Sequence, residues 1–170
     1  MVKEMITAAE IAAKVHELAG KISGDYENKA ITLVGTLKGA LHFMSDLARN
    51  IPLDVELEFI KASSYGDGTE SSGKIVMEYP PLADLTGKHV IIVEDIIDTG
   101  HTAKFLREHF MELNLASLAI CALLDKPGRR EVEVTIEYIG FAIPDAFVVG
   151  YGLDFAQKYR HLPYIGILQT

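Results

Sequence analysis

The apolar run His89-Val90-Ile91-Ile92-Val93 ends in adjacent acids, Glu94 and Asp95, and a third acid, Asp98, precedes Thr99-Gly100-His101-Thr102. The Thr99–Thr102 stretch has what a phosphate monoester requires. Gly100 permits close backbone approach, the hydroxyls donate, and a helix starting here offers free N–H groups and the positive end of its dipole. Adjacent carboxylates repel a phosphate, but they suit sugar hydroxyls as acceptors, or a cation held beside them. One short loop thus carries acids for a ribose diol and a cradle for its phosphate. The plain alternative is a helix N-cap, with Asp98 or Thr99 capping and the other acids solvated.

Other residues stand at comparable junctions. Lys38 lies in the turn Thr36-Leu37-Lys38-Gly39 after an apolar run, where an ordinary strand-to-helix turn with a solvated lysine is the competing reading. Lys126 follows the apolar run Leu118–Leu124, so its head should emerge at the same sheet edge as the acids. An ammonium donates and cannot accept, which suits an exocyclic oxygen and disfavours an amino group. Arg129 and Arg130 read as solvated surface charges, and Phe147 alone reads as core. The polar segment Ser63–Lys74, with Gly66, Gly68 and Gly73, is long for a loop in a compact domain; it is either a lid or an exposed hairpin tip.

These residues need elements to position them. Thr7-Ala8-Ala9-Glu10 is a capping box, and Ile11, Val15, Leu18 and Ile22 share the face of the helix it opens, with Gly20 near the stop. Ile31–Gly35 is a buried strand, and helical spacing runs from Leu41 to Arg49. Leu53, Val55, Leu57 and Phe59 alternate as a half-buried strand, with Ile75–Tyr79 pairing back. His89–Val93 is the clearest buried strand. A helix carrying Phe105, Leu106, His109, Phe110 and Leu113 inward follows the acidic loop. Ser117–Leu124 is another buried strand; Val132, Val134 and Ile136 alternate, as do Phe147 and Val149. A short helix near Asp154–Tyr159 and a strand near Tyr164–Leu168 end the chain. Strands alternating with helices give an α/β domain with a largely parallel central sheet, whose ligands bind beyond the carboxyl ends of the strands.

The segment Glu94–Thr102 resembles the phosphoribosyl-diphosphate motif of type I phosphoribosyltransferases, and its form Glu-Asp-Ile-Ile-Asp-Thr-Gly-x-Thr is similar to that of the hypoxanthine-guanine group. The likeness runs from about Ile31 to Leu168 and takes in Leu37-Lys38-Gly39, Ser64-Tyr65, Asp125-Lys126, Phe147 to Asp154, and Arg160. It implies the type I fold with a small hood formed by the terminal segments, and transfer of a phosphoribosyl group from phosphoribosyl diphosphate to N9 of a 6-oxopurine, giving IMP or GMP and pyrophosphate. By that likeness Glu94 and Asp95 meet the ribose hydroxyls. Asp98 is the catalytic residue that manages the N7 proton, and Asp98, Thr99, Gly100, His101 (backbone only) and Thr102 wrap the 5′-phosphate. Lys38, Gly39 and Arg160 take pyrophosphate, with a strained or cis Leu37–Lys38 peptide; Ala40 stands where the family often has a second glycine. Lys126 meets O6, Phe147 stacks on the base, and the Val148 backbone reads its edge. Asp154, beside the purine site, is the expected Mg2+ ligand, with Glu94 and Asp95 as further acids for the metal. Ser64 and Tyr65 belong to a lid of about residues 63–74 that excludes water from an oxocarbenium-like transition state.

The bulk properties bound the rest. With 170 residues, 49% of them hydrophobic, residues 1–170 are expected to form one domain. The formal net charge of -8 argues against diffuse nucleic-acid binding. No apolar run reaches the roughly 20 residues of a membrane span. The single cysteine, Cys121, sits in an apolar run as a buried thiol, which favours the cytoplasm. The resemblance implies a homodimer or homotetramer. A xanthine-preferring enzyme and a non-catalytic nucleotide-sensing regulator of the same fold are the rival functions. A nucleoside-triphosphate hydrolase is not, because no Gly-x-x-x-x-Gly-Lys-Ser/Thr loop is present.

Overall fold

Apolar residues on both faces of the central strands demand cover on both sides, and the fold supplies it. In a computed structural model, which describes residues 1–65 and 74–169, the strands are β1 (Val2–Ile6), β2 (Ile31–Thr36), β3 (Val55–Tyr65), β4 (Lys74–Tyr79), β5 (His89–Ile97), β6 (Ser117–Asp125), β7 (Tyr138–Ala142), β8 (Val148–Val149) and β9 (Ile165–Leu168). The helices are α1 (Ala8–Asp25), α2 (Leu41–Asn50) and α3 (His101–Met111). The main sheet has the order β4-β3-β2-β5-β6-β7; all its neighbours are parallel except the β3–β4 pair. The second sheet, β1-β9-β8, is antiparallel and joins the two ends of the chain, the small hood that was expected.

One core packs α1 and α2 on one face of the sheet, with Leu18, Ile22, Phe43 and Leu47 against Leu33, Ile91 and Val93. The other seats Leu106 and Phe110 of α3 on Val34, Val90, Ile92 and Ile120. Each such fully buried side chain contributes about 1.5–3 kcal/mol of transfer free energy. The chain order reverses between β2 and β5, and the carboxyl ends of those two strands open the crevice where such sheets bind ligands.

The capping box forms, with Glu10 N–H donating to Thr7 Oγ1 at 3.1 Å and Thr7 N–H donating to Glu10 at 2.8 Å. Several expectations need correction. Helix α1 runs past Gly20 to Asp25, because Leu18 and Ile22 keep the inner face apolar through that point. Strand β1 went unread, since its cover comes from β9 at the far end of the chain. In β3, Leu57 is exposed while Ile60, outside the alternating set, is buried. Residues 132–136 form no strand, and Val134 and Ile136 only lean on the second core. No helix forms at Asp154–Tyr159; Ala156 and Gln157 take positive φ in a tight reversal closed by Phe155 and Lys158. Among the described residues no helix is long and apolar enough to cross a membrane.

Candidate active site

Strand β5 does not stop at Val93. Its ladder with β6 pairs Glu94 with Ala122, Ile96 with Leu124 and Ile97 with Asp125, so the acids sit on the end of a strand and not in a loop. That gives them rigid placement. A cleft of about 250 Å³ opens there, lined by Thr36, Gly39, Glu94, Asp95, Asp98–Gly100 and Thr102.

The two carboxylates have different surroundings. Thr36 Oγ1 donates to Glu94 Oε2 at 2.8 Å, whereas Glu94 Oε1 is buried without a hydrogen-bond partner. Burial pushes the Glu94 carboxyl up to about 8, the Asp95 charge adds to this, and the Thr36 hydroxyl opposes it. Burial also pushes Asp95 up to about 6, against hydrogen bonds from the backbone N–H groups of Ile96 and of Asp95 itself. The Arg160 guanidinium pulls the Asp95 carboxyl down and the Asp154 carboxylate pushes it up. The free site thus holds protons on its buried acids more tightly than water would, until a hydroxyl or a cation arrives to replace them.

Helix α3 begins at Gly100, whose φ of 92° is left-handed, and no side chain caps it. Neither Asp98 nor Thr99 is an N-cap, so the plain alternative fails and the N–H groups of the first turn face the cleft end uncapped. Asp98 instead takes Arg129 Nε on Oδ1 at 3.1 Å, and its carbonyl accepts from Arg130 Nε at 3.3 Å. Arg130 is also ion-paired with Asp125. Arg129 is thus the exposed surface charge that was expected, paired with Asp98, whereas the partly buried Arg130 ties Asp125 to the Asp98 backbone. Their spacing carried no signal, because the Pro127–Arg129 turn that aims them follows from the tertiary path. His101 Nε2 lies 2.8 Å from the Glu131 carboxylate on the exposed side of the helix start.

Three loops interlock beside the acids. The Leu37–Lys38 peptide is cis. A Cβ on Gly39 would lie 2.6 Å from Asp95 Cγ, and one on Gly152 would lie 3.1 Å from the Gly39 carbonyl carbon, so both positions demand glycine. Arg160 donates to the Gly152 carbonyl at 2.6 Å and pairs with Asp154 at 2.8 Å. Lys38 Nζ donates to Gln157 Oε1 at 3.1 Å, and the Gln157 N–H donates to Asp154 at 2.8 Å. Gln157 and Thr36 were both missed, since neither bears charge and each acts through a partner distant in sequence.

The residues expected to face the base stand on other elements. Lys126 is buried, anchored by its N–H to the Ile97 carbonyl at 2.9 Å, with Nζ 3.9 Å from Asp145. Phe147 is not core: it is 55% exposed and meets Phe155 edge-on at 5.7 Å. Val148 is buried in β8 opposite Ile167. Ser64 and Tyr65 end β3, which shortens the expected loop at its start; the rest of the expected lid, residues 66–73, lies outside the described residues.

Among the described residues no three of His, Cys, Asp and Glu gather as a protein-only metal cage. A hard divalent cation here would take one or two carboxylates and complete its shell with water and phosphate oxygens, the usual habit of Mg2+. The unpartnered Glu94 Oε1 and the Asp154 carboxylate fit that arrangement.

Comparison with known proteins agrees with this geometry. Residues 2–156 match the family model described as the phosphoribosyl transferase domain. The chain is 50% identical to a hypoxanthine phosphoribosyltransferase of Escherichia coli over 97% of its own length and 94% of the relative's. It is 46% identical to a hypoxanthine-guanine phosphoribosyltransferase of Streptococcus pneumoniae, over 98% and 93%. It superposes on a crystal structure of a hypoxanthine-guanine phosphoribosyltransferase from Bacillus anthracis with a TM-score of 0.95 at 47% identity, covering 99% of this chain and all of that one. With acids at the end of a central parallel strand, an uncapped helix start beside them and likeness over nearly the whole length, this chain belongs to the phosphoribosyl transferase family.

Proposed function

We propose that this chain is a purine-salvage enzyme that transfers the 5-phosphoribosyl group of phosphoribosyl diphosphate to N9 of hypoxanthine or guanine, releasing pyrophosphate. The observation that carries this reading is the sharing of one cleft by Glu94, Asp95 and the uncapped start of α3. Carboxylates there accept from the ribose hydroxyls, and the Thr99–Thr102 backbone and hydroxyls donate to the 5′-phosphate. Asp98, next to the cradle, takes the purine N7 proton as the new N9–C1′ bond forms and the C1′–O bond to pyrophosphate breaks. Lys38, the Gly39 backbone and Arg160 receive the departing pyrophosphate, a role supported by the convergence of Lys38 and Arg160 on Gln157.

Lys126 donates to O6, and its burial supports discrimination, because an amino group there would leave a desolvated ammonium unpaired. Phe147 offers an exposed face to the base, with the Val148 backbone at its edge. Mg2+, held by Asp154 with help from Glu94 and Asp95, would neutralise pyrophosphate charge as it leaves. The segment from Ser64 and Tyr65 onward serves as the cover over the reaction. Its support is that β3 continues beyond Ile60, its last residue paired with β2, and leaves from the carboxyl edge of the sheet. We read residues 1–170 as one catalytic domain of a cytoplasmic homodimer or homotetramer.

The test is a steady-state assay with phosphoribosyl diphosphate and Mg2+ against hypoxanthine, guanine, xanthine and adenine. Nucleotide is expected from hypoxanthine or guanine. No product from any base overturns the enzyme reading, and adenine as best substrate overturns the role of Lys126.

A further inference from the structure

Thr36 was no candidate in the sequence, yet it is the only hydrogen-bond partner recorded for the Glu94 carboxylate among the described residues. Strands β2 and β5 are in register through Gly35 and Val93, so Thr36 and Glu94 are the next residues on each strand, side by side where the sheet opens into the cleft. The Thr36 hydroxyl has one proton and two acceptors in reach, Glu94 Oε2 at 2.8 Å and the Val93 carbonyl at 3.3 Å. The Glu94 oxygen is the closer acceptor. A β-branched residue on a strand has restricted χ1, so this hydroxyl is aimed before any ligand arrives. Its bond leaves the other oxygen, Oε1, buried and bare. A buried acceptor without a partner is costly, and such an atom in a cleft marks a place a ligand is meant to fill.

Resting on the function proposed above, we infer that Thr36 is the positioning residue of the ribose subsite: it ties down Glu94 Oε2 so that Oε1 is presented to one hydroxyl of the ribose diol. The ligand chemistry follows from the donor set. The bare oxygen accepts a hydroxyl or touches a cation, and it repels a phosphate, so Thr36 should govern binding of the sugar and not of pyrophosphate.

The experiment uses the full chain with Thr36→Val, which keeps the branched shape and loses the hydroxyl, and Thr36→Ser, which restores the donor. Binding of phosphoribosyl diphosphate and of pyrophosphate, each with Mg2+ and without base, is measured by isothermal titration calorimetry. Thr36→Val should weaken phosphoribosyl diphosphate between about tenfold and a hundredfold, the range of a hydrogen bond to a charged group, and leave pyrophosphate within about twofold. Thr36→Ser should recover most of the loss. Since Thr36 acts through Glu94, the valine substitution should cost less than about twofold in a Glu94→Gln background. Equal weakening of both ligands, or the same loss with and without Glu94, would overturn the inference. If the unaltered protein binds no phosphoribosyl diphosphate, the functional reading itself fails.

Discussion

The two halves of this site are built on different plans. The half proposed to hold ribose and phosphate is one continuous piece, Glu94 to Thr102, running from the end of β5 into the start of α3. The half proposed to hold base and pyrophosphate is assembled from Lys38, Lys126, Phe147, Asp154 and Arg160, on segments distant from one another in sequence. In the first half the buried group is Glu94, whose carboxyl is pushed up by desolvation, beside the partly exposed Asp95 and Asp98. In the second, apart from buried Lys126, the groups are exposed or partly exposed: the cations of Lys38 and Arg160, the Asp154 carboxylate and the Phe147 ring. A contiguous strand-to-helix junction can hold a site to within the rigidity of the sheet. Composite loops depend on close contacts such as that of Gly152 with Gly39 to hold their shape.

Changes to each half should therefore differ in kind. The largest effect is expected at the position proposed for proton transfer: Asp98→Asn should lower kcat by about a hundredfold or more while weakening phosphoribosyl diphosphate far less. Equal losses in kcat and in calorimetric affinity would remove the proton role and make Asp98 merely part of the cradle.

Next is a stability effect confined to the buried acids. The Glu94 carboxyl stands at about 8 in the folded chain and near 4.5 unfolded, so the folded state holds its proton more tightly. That contribution is fully present below about pH 4.5 and is lost as pH rises toward 8, at most about 1.4 kcal/mol per pH unit. Urea denaturation of the metal-free protein should show stability falling between pH 5 and 8 by roughly a few kcal/mol. Glu94→Gln should flatten that fall. Parallel profiles for the two proteins would mean that Glu94 is not desolvated in solution.

The smallest change belongs to the exposed half. Phe147→Ala removes a largely exposed ring that meets Phe155 edge-on, so the midpoint of thermal unfolding should move by less than about 3 °C, with about a threefold to tenfold rise in KM for the base. A large loss of stability would show that the ring is core after all and would blur the contrast between the halves.

Much of this was legible along the chain because the physics is local. The capping box at Thr7–Glu10 is satisfied within one turn, and the run His89–Val93 must be covered on both faces wherever it sits. The Glu94–Thr102 site could be read for the same reason: its acids, glycine and hydroxyls lie on one stretch. The misreadings share the opposite cause. Strand β1 exists because β9 pairs with it, Arg130 ties Asp125 to the Asp98 backbone because its turn faces Asp98, and the alternation at Val132–Ile136 found no neighbouring strand.

What the sequence determined by itself was the α/β alternation, the strand-to-helix junction that bears the acids, and the chemistry those residue types permit. Only the tertiary structure decided which oxygen of Glu94 is held and which is bare. That depends on Thr36 arriving beside it from a different strand, and hydrogen bonds between strands are set by register, which no single stretch of chain contains.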